Sequence, residues 1–410
     1  MSHVSVPIGS GQTDTFAWLI DPISPAAFER TFYEQRLCLV TRTEPGYYEQ
    51  LLSGRDLDTV LGSHRLSYPE MNVVKGDDDV PTASFTQGSG RINPVEVSKR
   101  FDEGATIIFT QLHRRVPALA RLCGALGVVF GSRIQTNIYL TPPRAQGFKP
   151  HWDTHDVFVL QVSGRKRWSI YDTKIPLPLK GQKFKTDRDT PGPVTEEFEL
   201  GAGSVVYLPR GLMHSARSTD DTSLHITLGI TAFTWADFFV ESVAAAALEE
   251  PRLRESLPIG YTGEGFPADE KMRIFREKLS VLQSRLEPAP VWQHFEDEVR
   301  ASNSPMFTNL LAPRLRAVPT TLDTVVSRRA DVSVSLEDGG AICAVQFRDQ
   351  KMTLPGRVFP AVEFAMTTEL FRVRDLPECL DEQGKITLVE RLVKEGVLES
   401  GGAPREEERS

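Results

Sequence analysis

The sequence predicts a mainly β fold with α: an antiparallel barrel or sandwich in mid-chain, an α/β segment before it, and helices with a small mixed domain after it. Three observations carry that prediction. Short β-type runs crowd between positions 105 and 230, each bounded by turn residues. Helical spacing replaces them beyond Trp235. Strand and helix signals then return together past Ala312.

The elements follow in order. Ser24 to Gln35 (SPAAFERTFYEQ) begins with a capping serine and keeps helical spacing, and the apolar strand Leu37 to Val40 follows it. The mid-chain strands are expected at Ala105 to Thr110, Ile134 to Leu140, Val157 to Val162, Lys166 to Tyr171, Ser204 to Leu208 and Leu224 to Ile230. Ser163-Gly164, between two of these runs, predicts a hairpin turn that fixes their register. Ala236 to Glu250 and Glu270 to Arg300 read as helices, the second long, amphipathic and highly charged, with a break or kink at Pro288 and Pro290. Strands near Val332 to Leu336 and Ala341 to Phe347, then helices at Pro360 to Thr367 and Lys385 to Glu395, fit a small winged-helix-like domain. The final GGAPREEERS is expected to be disordered. The expected division is therefore 1–235, 236–311, 312–400 and a tail at 401–410.

Bulk properties exclude several classes. A chain of 410 residues calls for two or three domains, and its 40% apolar and 25% charged residues are those of a globular protein. No apolar run approaches the roughly 20 residues of a membrane helix. The start, MSHVSVPIGSGQTDTF, lacks the basic and apolar regions of a signal peptide. Cys38, Cys123, Cys343 and Cys379 lie far apart, mostly in apolar runs, which suits reduced thiols in a cytoplasmic protein. A net charge of -8 opposes a broad grip on nucleic acid and suits a basic protein or peptide partner.

One constellation carries chemistry. His151-Trp152-Asp153 sets an imidazole and a carboxylate two positions apart, on the same side of an extended chain. His214 follows Pro209-Arg210-Gly211, just after the strand Ser204 to Leu208. Two histidines and one carboxylate on one face of an ion leave the opposite positions open, as non-haem Fe(II) oxygenases require.

Neighbouring strands carry polar residues on one face. In Ile134 to Thr141, Gln135, Asn137, Tyr139 and Thr141 share the side opposite Ile134, Ile138 and Leu140. His225 and Thr227 lie together, opposite Leu224, Ile226 and Leu228. Lys166 shares its side with Trp168 and Ile170, and a lysine facing inward needs an anionic partner. The free carboxylate of 2-oxoglutarate is such a partner. No P-loop, nucleophile elbow or Cys-x-x-Cys pair competes for the role.

Three segments resemble the JmjC ribosomal oxygenases, which hydroxylate ribosomal proteins: NIYLTPPRAQGFKPHWDTHDVFVLQVSGRKRW, GSVVYLPRGLMHSA and SLHITL. The resemblance is strongest from Thr136 to Trp235. It implies a double-stranded β-helix of the JmjC or cupin kind, a helical dimerisation segment and a C-terminal winged helix. It makes His151, Asp153 and His214 the iron ligands and pairs Lys166 with the distal carboxylate of 2-oxoglutarate. Asn137, Tyr139 and Thr227 match polar positions lining that pocket. The implied reaction consumes dioxygen and 2-oxoglutarate on Fe(II) and hydroxylates an arginine or histidine of a ribosomal protein. A homodimer is the implied assembly, while the absence of a long apolar run argues against a membrane and the acidic composition against direct DNA binding.

Two departures bear on the substrate. Thr154-His155 replaces an acidic or small polar stretch after Asp153, and Ser215 stands where relatives often have glutamine; both are expected near the substrate entrance. Three other readings stay open at this point: an N-methyl-lysine demethylase with the same iron chemistry, a hydroxylase of peptide natural-product precursors, and a non-enzymatic metal-binding cupin-like or winged-helix protein.

Overall fold

Helix and strand boundaries in mid-chain follow the alternation of apolar residues closely. In the computed structural model, which describes residues 2–5, 10–76, 78–302, 319–329, 332, 334–347 and 350–400, two antiparallel sheets face each other. The larger has eight strands in the order Cys38–Val40, Val205–Leu208, Asp156–Ser163, Ser223–Thr231, Arg133–Thr141, Thr106–Thr110, Met71–Lys75 and Asp78–Asp79. The smaller has four: Val194–Gly201, Arg165–Lys174, Leu212–Ser218 and Gln146–His151. The expected mid-chain strands all appear, each within a few residues of its expected bounds.

Asp156–Ser163 is buried on both faces. Phe158, Leu160 and Val162 join the main core, while Val157 and Val159 face the smaller sheet. There they pack with Trp168, Ile170, Leu200, Val206 and Leu208. On the other side of the large sheet, Phe28 lies edge-on to Tyr207, ring centroids 4.9 Å apart, and 5.5 Å from Phe158. Burying each such ring stabilises the fold by about 1.5 to 3 kcal/mol, so the N-terminal α/β segment is bound firmly to the sheet.

Two expectations need correction. Gly164 does not close a hairpin. Asp156–Ser163 lies in the large sheet and Arg165–Lys174 in the small one, with no ladder between them. Gly164 turns the chain from one sheet to the other at φ +68°, and a Cβ there would sit 2.0 Å from the Thr222 carbonyl oxygen. Only glycine fits such a corner. The helix expected from Ser24 to Gln35 is also shorter than that. It spans Pro25–Thr31, capped by the Ser24 hydroxyl on the Ala27 N–H. Glu34 then adopts the left-handed region at φ 58°, and its N–H donates to the Tyr207 hydroxyl. That tertiary bond ends the helical pattern early.

The chain divides into two units, Met1–Thr231 with Asn303–Ser410, and Ala232–Ser302. In the second, Thr234 and Asp237 form a capping box at the start of the helix Trp235–Glu249. The expected break in the charged stretch lies between helices Ala268–Gln283 and Pro288–Ser302. Phe238 packs on Trp292, centroids 4.6 Å apart, whereas Trp235, Phe239 and Val240 are mostly exposed. Among the described C-terminal residues, strands Val334–Asp338, Ile342–Phe347 and Gln350–Pro355 and helices Phe359–Thr367 and Glu382–Lys394 share a separate apolar core. The boundary expected at 311/312 and the tail 401–410 lie outside the described residues. No helix among the described residues is long and apolar enough to cross a membrane.

Candidate metal centre

Pairing between two strands of the small sheet builds the site. Gln146–His151 runs antiparallel to Leu212–Ser218, and its register sets His151 directly opposite His214. Asp153 follows two residues later, its carbonyl accepting from the Gly211 N–H at 2.9 Å. Ligand atoms of His151, Asp153 and His214 all lie within 4.8 Å of one another. The imidazole centroids are 4.6 Å apart, and His214 Nε2 is 3.8 Å from Asp153 Oδ2.

Each imidazole is oriented by its own strand. His151 Nδ1 lies 2.9 Å from the Lys149 carbonyl oxygen and His214 Nδ1 lies 2.9 Å from that of Leu212. A carbonyl only accepts, so Nδ1 carries the proton and the Nε2 lone pair is left for a metal. Burial, then the charge of His151, pushes His214 down to about 4, which keeps it neutral. Burial raises Asp153, but His151, His155 and His214 together hold it below the usual carboxylate range. Two imidazoles that each turn Nε2 inward and one carboxylate form a donor set suited to a divalent transition metal.

The three ligands open onto a cavity of about 530 Å³, part of it continuous with solvent. Tyr139, Lys166, Trp168, His225 and Thr227 line it beside the triad. Tyr139 and His225 stack with centroids 4.8 Å apart, and Lys166 Nζ lies 5.9 Å from the Tyr139 ring. Lys166 is 4% exposed, and among the described residues no carboxylate comes within ion-pair distance. Burial pushes its ammonium down to about 7. Trp168 Nε1 and His225 Nδ1 are also buried without a hydrogen-bond partner. A buried ammonium and two unpaired ring nitrogens round one cavity fit an anionic ligand with several acceptor oxygens.

The expected residues divide unevenly. His151, Asp153, His214, Lys166, Tyr139 and Thr227 meet at this cavity. Asn137 does not line it. Its Oδ1 instead accepts from the Gln111 N–H at 3.3 Å. Ser215 also departs from expectation: alternation turns it away from the cavity, and its hydroxyl bonds Tyr171 at 3.0 Å. His155 rests against Gly229, where a Cβ would come 2.8 Å from its ring, and is absent from the cavity wall. Trp168 and His225 were not singled out as site residues, although strand alternation places both beside residues that were.

The JmjC domain family matches residues 109–238. Human "Ribosomal oxygenase 1" is 32% identical over 292 residues, 66% of this chain and 44% of that protein. The "Bifunctional lysine-specific demethylase and histidyl-hydroxylase NO66" of Drosophila simulans is 36% identical over 217 residues, 52% of this chain and 25% of that protein. This chain thus spans less than half the length of either relative. The X-ray structure of Escherichia coli ycfD superimposes with TM-score 0.55 at 16% identity, covering 92% of this chain and 98% of that one. A structure of YcfD, described as a ribosomal oxygenase in complex with cobalt and succinic acid, superimposes with TM-score 0.54 at 18% identity, covering 93% and 99%. At such identities the likeness establishes the fold.

Proposed function

Because residues 109–238 are a JmjC domain of the kind found in the ribosomal oxygenases, we propose that the chain is an Fe(II)- and 2-oxoglutarate-dependent dioxygenase that hydroxylates a side chain of a ribosomal protein. One observation carries the reading: three convergent metal donors open onto the same cavity as a buried lysine that has no counter-ion among the described residues. His151, Asp153 and His214 would hold Fe(II) through Nε2, a carboxylate oxygen and Nε2. Lys166 would bind the distal carboxylate of 2-oxoglutarate, with Tyr139 and Thr227 beside it. Iron with 2-oxoglutarate and dioxygen supplies the chemistry: decarboxylation to succinate and carbon dioxide, with one oxygen atom delivered to a C–H bond of the substrate.

The protein positions and encloses. The carbonyls of Lys149 and Leu212 fix which histidine nitrogens face the metal. Val157, Val159 and Trp168 supply the apolar part of the wall. Names of the relatives support a ribosomal protein substrate with histidine as the modified residue; arginine is the alternative that the sequence resemblance implies. They also support a second reading, N-methyl-lysine demethylation, in which the same oxygen delivery falls on a methyl group. The exposed apolar face of Trp235, Phe239 and Val240 supports a homodimer through the segment 232–302. The strand and helix order of residues 319–400 supports a winged-helix-like domain. Buried free thiols at Cys38, Cys123 and Cys343 suit a cytoplasmic setting.

An anaerobic-to-aerobic assay with Fe(II), 2-oxoglutarate and host ribosomal proteins tests the reading, with His214→Ala as control. Succinate together with a one-oxygen mass gain on one ribosomal protein, both absent in the variant, is expected. Succinate with formaldehyde and no mass gain would transfer the proposal to demethylation. No 2-oxoglutarate turnover despite bound iron would refute the dioxygenase.

A further inference from the structure

The two segments that bring Asp153 and His214 to the metal are joined outside the cavity by a buried ionic knot. Asp156, three residues past Asp153, is fully buried, and Arg210, four residues before His214, is 7% exposed. Arg210 NH1 donates to Asp156 Oδ2 at 2.8 Å, and the Arg210 backbone N–H donates to Asp156 Oδ1 at 3.1 Å. The Tyr207 hydroxyl donates to that same Oδ1 at 2.8 Å. One step along, the Gly211 N–H holds the Asp153 carbonyl. The far side is closed by Glu34, whose Oε1 accepts from Arg210 NH1 at 2.5 Å and whose backbone N–H donates to Tyr207. Arg210 Nε has no acceptor, so Glu34 and Asp156 together hold the guanidinium.

A buried ion pair of this kind adds little net stability over an apolar pair of the same volume, because desolvating both charges offsets their attraction. What it does supply is geometry, since few arrangements satisfy both carboxylates and the backbone donors at once. Here that geometry is the spacing between two of the three metal ligands.

Resting on the metal-centre reading above, we propose that Arg210 is the positioning residue of the site. Its pairing with Asp156 sets the Asp153-to-His214 spacing, and Glu34 ties that spacing to the N-terminal segment of the chain. None of the three touches the metal or the cavity. Their effect is exerted through the Asp153 carbonyl and the turn Pro209–Leu212.

Co(II) titration of the full chain, followed by calorimetry and by the visible spectrum of the bound ion, tests this without turnover. Arg210→Lys keeps the charge but loses the fixed fork, and Glu34→Gln keeps the shape at a part-exposed position. Both are expected to weaken Co(II) binding by about tenfold, the low end of what groups behind metal ligands contribute, and to change the spectrum. Leu57→Ala, in the main core away from the site, is the stability control and should lower Tm while leaving Co(II) affinity and spectrum at wild-type values. Wild-type affinity and spectrum in both Arg210→Lys and Glu34→Gln would overturn the proposal. So would an equal loss of affinity in Leu57→Ala, which would make the effect one of general stability. If the wild-type chain binds no Co(II), the metal-centre reading itself fails and this inference falls with it.

Discussion

Replacing Lys166 with methionine should make the protein more stable and a poorer binder of 2-oxoglutarate. The ammonium sits 4% exposed with no carboxylate of the described residues in reach, and burial moves it from 10.5 down to about 7. Its folded-state value lies below its unfolded one, so the unfolded chain holds the proton more tightly. The penalty is therefore largest below pH 7 and fades as pH rises towards 10.5. At about 1.4 kcal/mol per pH unit, it amounts to roughly 4 kcal/mol at pH 7.5. Methionine fills similar space without that cost, so Lys166→Met should raise Tm by roughly 5 °C or more at pH 7.5, and by less at pH 9.5. In the same variant a charge-assisted contact to the ligand is lost, worth about 1.5 to 3 kcal/mol, or about 10- to 150-fold in Kd. Wild-type affinity should also fall as pH climbs above 7, because the dianion favours the ammonium, and the variant should lose that slope. Differential scanning fluorimetry and calorimetric titration across pH measure both. A variant with unchanged 2-oxoglutarate affinity, or with a lower Tm at every pH, would show that Lys166 is not an unpaired cation awaiting an anion.

Three further outcomes follow from the same geometry. His151→Ala removes one of three donors and should cost at least about 100-fold in Co(II) affinity, beyond the loss seen for groups behind the ligands; titration followed by absorbance reads it. Gly211→Ala should destabilise by at least about 2 kcal/mol, since φ is +81° and a Cβ would lie 1.8 Å from the Ile175 carbonyl oxygen, and chemical denaturation with unchanged m-value checks this. Trp235→Glu with Phe239→Glu puts two charges on the exposed apolar face and should convert a dimer into monomers at micromolar concentration by light scattering, with the circular dichroism preserved.

Alternation made the site legible before the sheets were known. His151 and Asp153 share a side because an extended chain repeats every two residues, and Lys166 shares its side with Trp168 for the same reason. What alternation cannot supply is register between distant strands, and register is what sets His214 opposite His151. Nor does it distinguish a hairpin from a change of sheet. Ser163-Gly164 satisfies both, and the choice falls to the partners each strand finds, Ser223–Thr231 on one side and Leu212–Ser218 on the other. Val194–Gly201 escaped notice because it is an edge strand carrying three glutamates on largely exposed positions. Asn137 misled in the opposite sense: it lies on the expected face, yet its Oδ1 is taken by the Gln111 N–H and it is not among the residues that line the cavity.

A comparison of buried cations separates scaffold from site. Among the described residues, Lys166, Arg210, Arg329 and Lys385 are the buried lysines and arginines. Arg210 has Asp156 and Glu34, Arg329 has Glu399, and Lys385 has Glu378 with the Arg374 carbonyl. Lys166 alone in this group has no carboxylate within 4.0 Å. Folding tolerates a buried charge when the chain itself supplies the opposite one, and Arg210, Arg329 and Lys385 meet that condition. Lys166 meets it only when something outside the chain brings the carboxylate. An unpaired buried cation next to three convergent metal donors therefore marks where a small anion belongs, and it does so on electrostatic grounds independent of any relative.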